Sequence, residues 1–321
     1  MTTYELLEEE LVKWTGMPYA VVCSSGTAAL HLALEAFQLP RYTSVAMPDY
    51  TMVACARAAV LADLKPVLVD CREATGALDS HQLERALIQG LGITAVMYVH
   101  VYGRPSPVCW TPNYIPVIED MAEMHGIAPN PRSDAACYSF YKNKVVHGEE
   151  GGAVLFRLKK HADLARQLRC QGFTPEHDYT HVPRGHNYRL ADSLTVQILH
   201  SLMEIDTNLY RRQQCEGWYD EYCPAEWRRP KRASPWMYDV RVPGIDRTKQ
   251  TQVVRALQDA GVAARFGFVP MSMQQEFLGN TYVGEDVSKM LMSEVVTLPL
   301  TYTDRMYAED AVKLLERVVR S

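Results

Sequence analysis

Short apolar runs alternate along this chain with segments of helical spacing, and no other feature restricts its fold as strongly. The opening helix, residues 4–14, carries Leu6, Leu7, Leu11 and Trp14 at helical intervals and stops near Gly16. A strand at 19–23 follows, then an Ala- and Leu-rich helix over 28–37. The same rhythm continues through a strand at 44–47, a helix at 51–62, a strand at 66–70, a helix at 80–88, and strands at 94–99, 115–119, 135–140 and 153–157. A helix at 159–170 ends this part of the chain. Strands that are apolar throughout and separated by helices require a mostly parallel sheet with both faces covered. Beyond a polar loop at 172–186, long helical patterns run over 190–222, and a Pro-rich break occupies 223–235. A strand at 236–242 and helices at 249–260 and 307–319 then suggest a smaller α+β unit. The expected division is a large α/β domain over 1–205 and a small C-terminal α+β domain over 206–321.

Composition excludes several functions. The 321 residues are 47% hydrophobic and 22% charged, enough for a substantial core, and a net charge of -5 gives no basic footprint for nucleic acid. The eight cysteines lack paired spacing, there is no CxxC, and several lie inside apolar runs, so reduced buried thiols are expected. With no apolar leader and no stretch long enough to span a bilayer, the expectation is a cytoplasmic protein without membrane contact.

Four polar clusters interrupt the apolar pattern. Ser24-Ser25-Gly26-Thr27 opens a helix; free N–H groups and hydroxyls there suit a phosphate, and equally suit an ordinary cap. Asp120 ends an apolar strand, where a carboxylate either faces a ligand beyond the sheet or caps the turn after it. Lys144 follows Ser139-Phe140-Tyr141 and precedes Gly151-Gly152; an anchored lysine beside a Gly-rich turn has the setting of a Schiff-base amine, and Lys142 and Lys144 are otherwise two solvated charges. Gly185-His186-Asn187-Tyr188-Arg189 opens a long helix, and Asn187 there can donate to an anion or act as a cap. His177, His181 and His186 lie in one loop without a matching cysteine or carboxylate pattern, so no metal is expected.

Six ordered stretches resemble the DegT/DnrJ/StrS family of sugar aminotransferases: CSSGTAALHLAL from Cys23, PDYTMVACARAAVLADLKPVLVD from Pro48, YVHVYG from Tyr98, VIEDMAEMHG from Val117, SFYKNKVVHGEEGG from Ser139 and HVPRGHNYRL from His181. The resemblance covers nearly the whole chain. It implies a fold type I transferase dependent on pyridoxal 5'-phosphate, with a mostly parallel central sheet. By position, Lys144 is then the lysine that forms the internal aldimine, and Asp120 pairs with the ring nitrogen. Glu123 lies near the cofactor hydroxyl, while Ser25, Gly26, Thr27 and Ser139 surround the phosphate. Asn187 reaches the same phosphate from the second subunit of a homodimer with shared sites. His181 and Arg265 are substrate-side candidates, and His125 follows the family pattern beside the turn. The implied reaction moves nitrogen from an amino-acid donor, usually L-glutamate, through pyridoxamine phosphate to a nucleotide-linked keto sugar. Lys144 carries the proton shift, and a lysine rather than a histidine at this place favours transamination over dehydration.

The chain also departs from the family. It starts almost on a helix that in relatives follows some tens of residues, and a Pro-rich link from Arg104 replaces the helix expected before Val117. Met52 takes the place of an aromatic that stacks on the ring, which suggests a sulfur–ring contact instead, and Glu149 replaces a usual glycine. Such changes leave room for a different keto acceptor, such as a cyclitol, or for a cofactor-binding paralogue without turnover.

Overall fold

The computed structural model describes residues 2–109, 111–174, 176, 178–301 and 304–321. The first half runs α1 (Thr3–Thr15), β1 (Tyr19–Cys23), α2 (Gly26–Ala36), β2 (Ser44–Pro48), α3 (Ala54–Leu61), β3 (Lys65–Val69), α4 (Ser80–Ile88), β4 (Ile93–Val99), β5 (Val117–Asp120), β6 (Ala135–Ser139) and β7 (Gly152–Phe156). Three helices follow: α5 (Lys159–Arg169), α6 (Asp192–Met203) and α7 (Ile205–Tyr222). The remainder is β8 (Met237–Arg241), α8 (Arg247–Asp259), β9 (Arg265–Phe266), β10 (Thr281–Val283), α9 (Val287–Glu294), β11 (Val295–Pro299) and α10 (Arg305–Arg320).

Local chemistry sets many of these ends. In α1, Thr2 and Glu5 form a reciprocal capping box, and Gly16 closes the helix in the left-handed region at φ 72°. Ser25 caps α2 by accepting from the Ala28 N–H at 3.1 Å. The helix expected over 51–62 begins only at Ala54, which leaves Thr51 and Met52 in the connection after β2. The helical patterns over 190–222 are two helices, which meet at Glu204.

Among the described residues, β1-β7-β6-β5-β4-β2-β3-β10 form an eight-stranded sheet and β8-β11-β9 a three-stranded one. Strands β2 to β6 and β10 pair in parallel, and β7 runs antiparallel to both β1 and β6. Side chains alternate between two cores, as a period of two demands. Val21, Cys23, Ala135, Cys137, Val154 and Phe156 face a core shared with α2, α3 and α5, while Ala20, Val22, Ala136, Tyr138, Ala153 and Leu155 face α1 and α6. The three-stranded sheet packs with α7, α8 and α10 around Tyr219, Tyr238, Val254, Leu298 and Val312. The C-terminal part also returns to the large sheet, because β10 pairs with β3. Sequence patterning missed β9, β10, α9 and β11; β9 and β10, at two and three residues, are too short to show a period.

No disulfide joins any of the eight cysteines, and six of them are buried. No helix among the described residues is long and apolar enough to cross a membrane.

A buried charge cluster joins the two sheets. Asp239 on β8, fully buried, accepts from Arg104 Nη1 at 2.9 Å and from Arg232 Nε at 3.1 Å, and lies 3.4 Å from Arg229 Nη1. Arg232 also donates to Glu216 on α7 at 2.6 Å. Arg104 follows the turn after β4, so Asp239 ties the small sheet to the end of a central strand. Gly103 permits that approach: a Cβ on it would sit 1.6 Å from the Ser234 carbonyl oxygen. Burial alone would raise the Asp239 carboxyl, but Arg104, Arg232 and Arg229 outweigh it and hold the group well below the usual carboxylate range. Its contribution is therefore complete above the unfolded value near ~3.9 and is lost as acid approaches the folded one. Replacing Asp239 by Asn leaves buried guanidiniums uncompensated and is expected to cost about 3–5 kcal/mol in urea unfolding at neutral pH. The difference from the parent should shrink as the pH falls below about 4.

Candidate active site

A cavity of about 360 Å³ opens at the carboxyl ends of the parallel strands. Its floor is the start of α2, one wall comes from the ends of β5 and β6, and the opposite wall is the small sheet. Ser25, Gly26, Thr27, Met52, Asp120, Glu123, Ser139, Lys144 and Arg265 all line it. The structure thus brings together nine of the sequence candidates.

Lys144 sits in the β6–β7 connection and is only 8% exposed. Its Nζ lies 3.8 Å from the centroid of the Trp236 ring. Burial lowers its pKa, the charges of Glu123 and Asp120 oppose that, and Arg212 and Arg265 add to the lowering. The loop is well anchored. The Lys144 N–H donates to Tyr141 O at 2.8 Å, and Arg212 on α7 donates to the carbonyls of Asn143 and Lys144 at 3.1 Å each and of Trp236 at 2.8 Å. His125 accepts from the Val146 N–H at 3.0 Å through Nδ1, which places the ring proton on Nε2. Its role within this chain is to hold the loop.

Asp120 uses its two oxygens differently. Oδ1 accepts from the Ala122 N–H at 2.9 Å, the capping bond left open by the sequence, and Oδ2 accepts from the Cys55 thiol at 3.2 Å. Glu123 accepts from the Tyr102 N–H at 2.6 Å, and Tyr102 holds a left-handed backbone at φ 54° to present that donor. The Tyr102 ring stacks on Phe268, with centroids 5.1 Å apart, and so extends the aromatic wall.

The start of α2 lies against β7 with almost no clearance. A Cβ at Gly152 would meet Ser25 backbone at 2.3 Å and the Gly26 nitrogen at 2.7 Å, and one at Gly26 would meet Ser139 Cβ at 2.8 Å. Glycine is required at both places for β6, β7 and the helix start to converge. The first-turn N–H groups of a helix have no partner within it, so this corner offers donors to an anion.

Two candidates lie elsewhere in the single chain. Asn187 is exposed, bridged to Cys170, and accepts from Arg189 Nε at 3.1 Å. His181 is also exposed, with Nδ1 2.9 Å from Gln171 O and its ring tilted against Phe173, centroids 4.3 Å apart. His177 lies outside the described residues. Met52 stands at the rim, 54% exposed. Trp236, Arg212, Cys55 and Tyr102 were not singled out from sequence. The one available signal was Trp236 at the head of a strand; Arg212 reads as an ordinary solvated helix charge until α7 is packed.

Burial raises the Glu123 carboxyl to about 7, against the pull of Lys144 and the Tyr102 N–H. Its folded value lies above the unfolded one near ~4.3, so its contribution to stability is complete below that value and is lost as pH rises through about 7. Glu123→Gln is expected to flatten the pH dependence of unfolding of the cofactor-free protein between about pH 4 and 7, where this single group contributes a slope of at most ~1.4 kcal/mol per pH unit. Urea melts across that range check it.

The chain is similar to known proteins in sequence and in fold. The DegT/DnrJ/EryC1/StrS aminotransferase family matches residues 2–319. GDP-perosamine synthase of Caulobacter vibrioides is 30% identical over 288 residues, covering 84% of this chain and 77% of its own. The UDP-N-acetyl-3-dehydro-alpha-D-glucosamine 3-aminotransferase of Acidithiobacillus ferrooxidans is 26% identical over 307 residues, 92% of this chain and 82% of its own. The fold is shared with S. venezuelae DesV, solved with a ketimine intermediate, at a TM-score of 0.86, 22% identity, and coverage of 100% of this chain and 90% of that one. With the match extending over nearly its whole length, this chain belongs to the DegT/DnrJ/EryC1/StrS aminotransferase family.

Proposed function

We propose that the protein transfers an amino group from an amino-acid donor, L-glutamate first among the candidates, to a keto sugar carried on a nucleotide, with pyridoxal phosphate as resident cofactor. The observation that carries this reading is Lys144, buried beside Asp120 and Glu123 and next to the glycine-lined start of α2. The names of the relatives support a nucleotide-sugar acceptor.

The residues fit the cofactor. Gly26, Thr27 and Ser139 would hold its phosphate at the start of α2, with Ser25 shaping the corner and Gly152 keeping it open. Asp120, steadied by the Ala122 N–H and the Cys55 thiol, would pair with the ring nitrogen and keep it protonated. Glu123 would face the ring hydroxyl, and Met52 would lay its sulfur over the ring from the rim. Bound pyridoxal phosphate supplies a carbonyl that captures amines and a ring that accepts electrons.

Proton movement falls to Lys144. Its amine loses protons more readily than a solvated lysine because it is buried, so Nζ can take a proton from the donor's α-carbon and return one to the acceptor side. The Trp236 face and the Arg212 anchor limit where Nζ can travel. Arg265, on the open wall, would meet a substrate anion. Asn187 and His181, outside the cavity of a single chain, would act at the site of a second copy in a homodimer.

Incubation with 15N-glutamate and a panel of nucleotide-linked keto sugars is expected to place the label on a sugar amine, read by mass spectrometry. Lys144→Ala should lower that rate by roughly 10³-fold or more. Label appearing only on a cyclitol or other free keto compound would move the reading to that acceptor. No transfer to any keto compound would remove it.

A further inference from the structure

Away from the cavity, three buried polar atoms with no aligned hydrogen-bond partner converge on one place. They are His31 Nε2, Glu35 Oε1 and His186 Nε2. His31 and Glu35 stand one turn apart on the same face of α2, and His186 reaches them from the loop before α6. His31 is 1% exposed and Glu35 9%. All three atoms lie within 4.8 Å of one another, and the His31–Glu35 pair is 3.3 Å apart.

We propose that His31, Glu35 and His186 form a binding site for a divalent cation of the zinc class. Two imidazoles and a carboxylate are the ligand types such an ion takes, with a fourth position left for water. At zinc–ligand distances near ~2.05 Å, ligand atoms in a tetrahedron lie about 3.4 Å apart, so one pair is already spaced correctly and small side-chain rotations close the others. His31 Nδ1 is 3.0 Å from Tyr188 Oη; donation to that oxygen fixes the tautomer that leaves Nε2 free to bind.

One group opposes the cation. Arg184 Nη2 lies 2.6 Å from Glu35 Oε1, off the direction of a hydrogen bond, and 3.3 Å from Asp63 Oδ2. Asp63 offers the guanidinium a second partner when the cation takes Glu35. A cavity of about 430 Å³, lined by Glu35, Arg41 and Arg184, gives a path from solvent.

The consequence is mechanical. In the loop carrying His186, the Tyr188 carbonyl already accepts from the Ser24 N–H at 2.8 Å, directly before the start of α2. A cation bridging His186 to His31 would fasten this loop, Asn187 included, to the helix whose first turn forms the candidate phosphate corner. This inference does not depend on transamination, and its readouts are independent of activity.

The test uses the full chain loaded with pyridoxal phosphate and stripped of metal by chelator. Titration with cobalt(II) is expected to give a visible ligand-field band that saturates at one equivalent, and zinc(II) should displace it. Zinc should also raise the thermal midpoint. His186→Gln and Glu35→Gln, each checked for native circular dichroism without metal, should bind cobalt at least about tenfold more weakly. If either variant fails to fold, His31→Gln takes its place. Absence of stoichiometric cobalt binding, or cobalt binding in a folded variant equal to that of the parent, overturns the proposal.

Discussion

Lys144 brings an amine into a pocket that excludes most water, and the rest of the site follows from what that amine requires. A buried ammonium is costly unless carboxylates face it, and removal of either partner leaves the other uncompensated. Asp120 and Glu123 supply the negative charge, and neither could stand there unsupported. Asp120 takes the Ala122 N–H and the Cys55 thiol, while Glu123 takes the Tyr102 N–H, which only a left-handed residue can offer. The Trp236 face completes the surroundings at little cost in hydration. The result is an amine with weakened proton affinity beside a carboxyl with strengthened affinity, the opposed pair that acid–base work near neutral pH uses.

That balance depends on the small sheet standing where it does. Trp236 begins the approach to β8, and Arg265 lies on β9, so both belong to the wall across the cavity from Asp120. Asp239, gripped by Arg104, Arg229 and Arg232, holds this wall to the turn after β4, the same turn that carries Tyr102. Arg212 performs the matching task from α7, joining the Lys144 loop to Trp236 through three carbonyls. Buried ionic contacts of this kind add little net stability. What they supply here is register between two sheets whose side chains must meet within one cavity.

The sequence displayed the parallel core clearly, because buried strands between helices leave unbroken apolar runs and Ala-rich helical segments. It also displayed the start of α2, Asp120 and Lys144, since each is a local anomaly: a small-residue turn, an acid ending an apolar strand, an anchored lysine before paired glycines. Contacts made across long separations were hidden. Nothing near Arg104 announces Asp239, and Arg212 looks like any charge on an exposed helix until its loop partners are in place. Cys55 reads as one small apolar residue among alanines. β9 and β10 are too short to show a period. The His31–Glu35–His186 group was hidden too, because His186 lies in a loop and the other two stand some 150 residues earlier on α2. Asn187 and His181 lie outside the cavity formed by one chain, where a run of polar residues in a loop gives no sign of which cavity it serves.

The proposed reaction requires that Lys144, and not its neighbour Lys142, bond the cofactor. Borohydride reduction of the protein loaded with pyridoxal phosphate, followed by protease digestion and peptide mass mapping, tests it directly. A stable pyridoxyl mass is expected on the Lys144 side chain, lost in Lys144→Arg and undiminished in Lys142→Arg. A mass on Lys142, or no covalent label on the loaded protein, would contradict it.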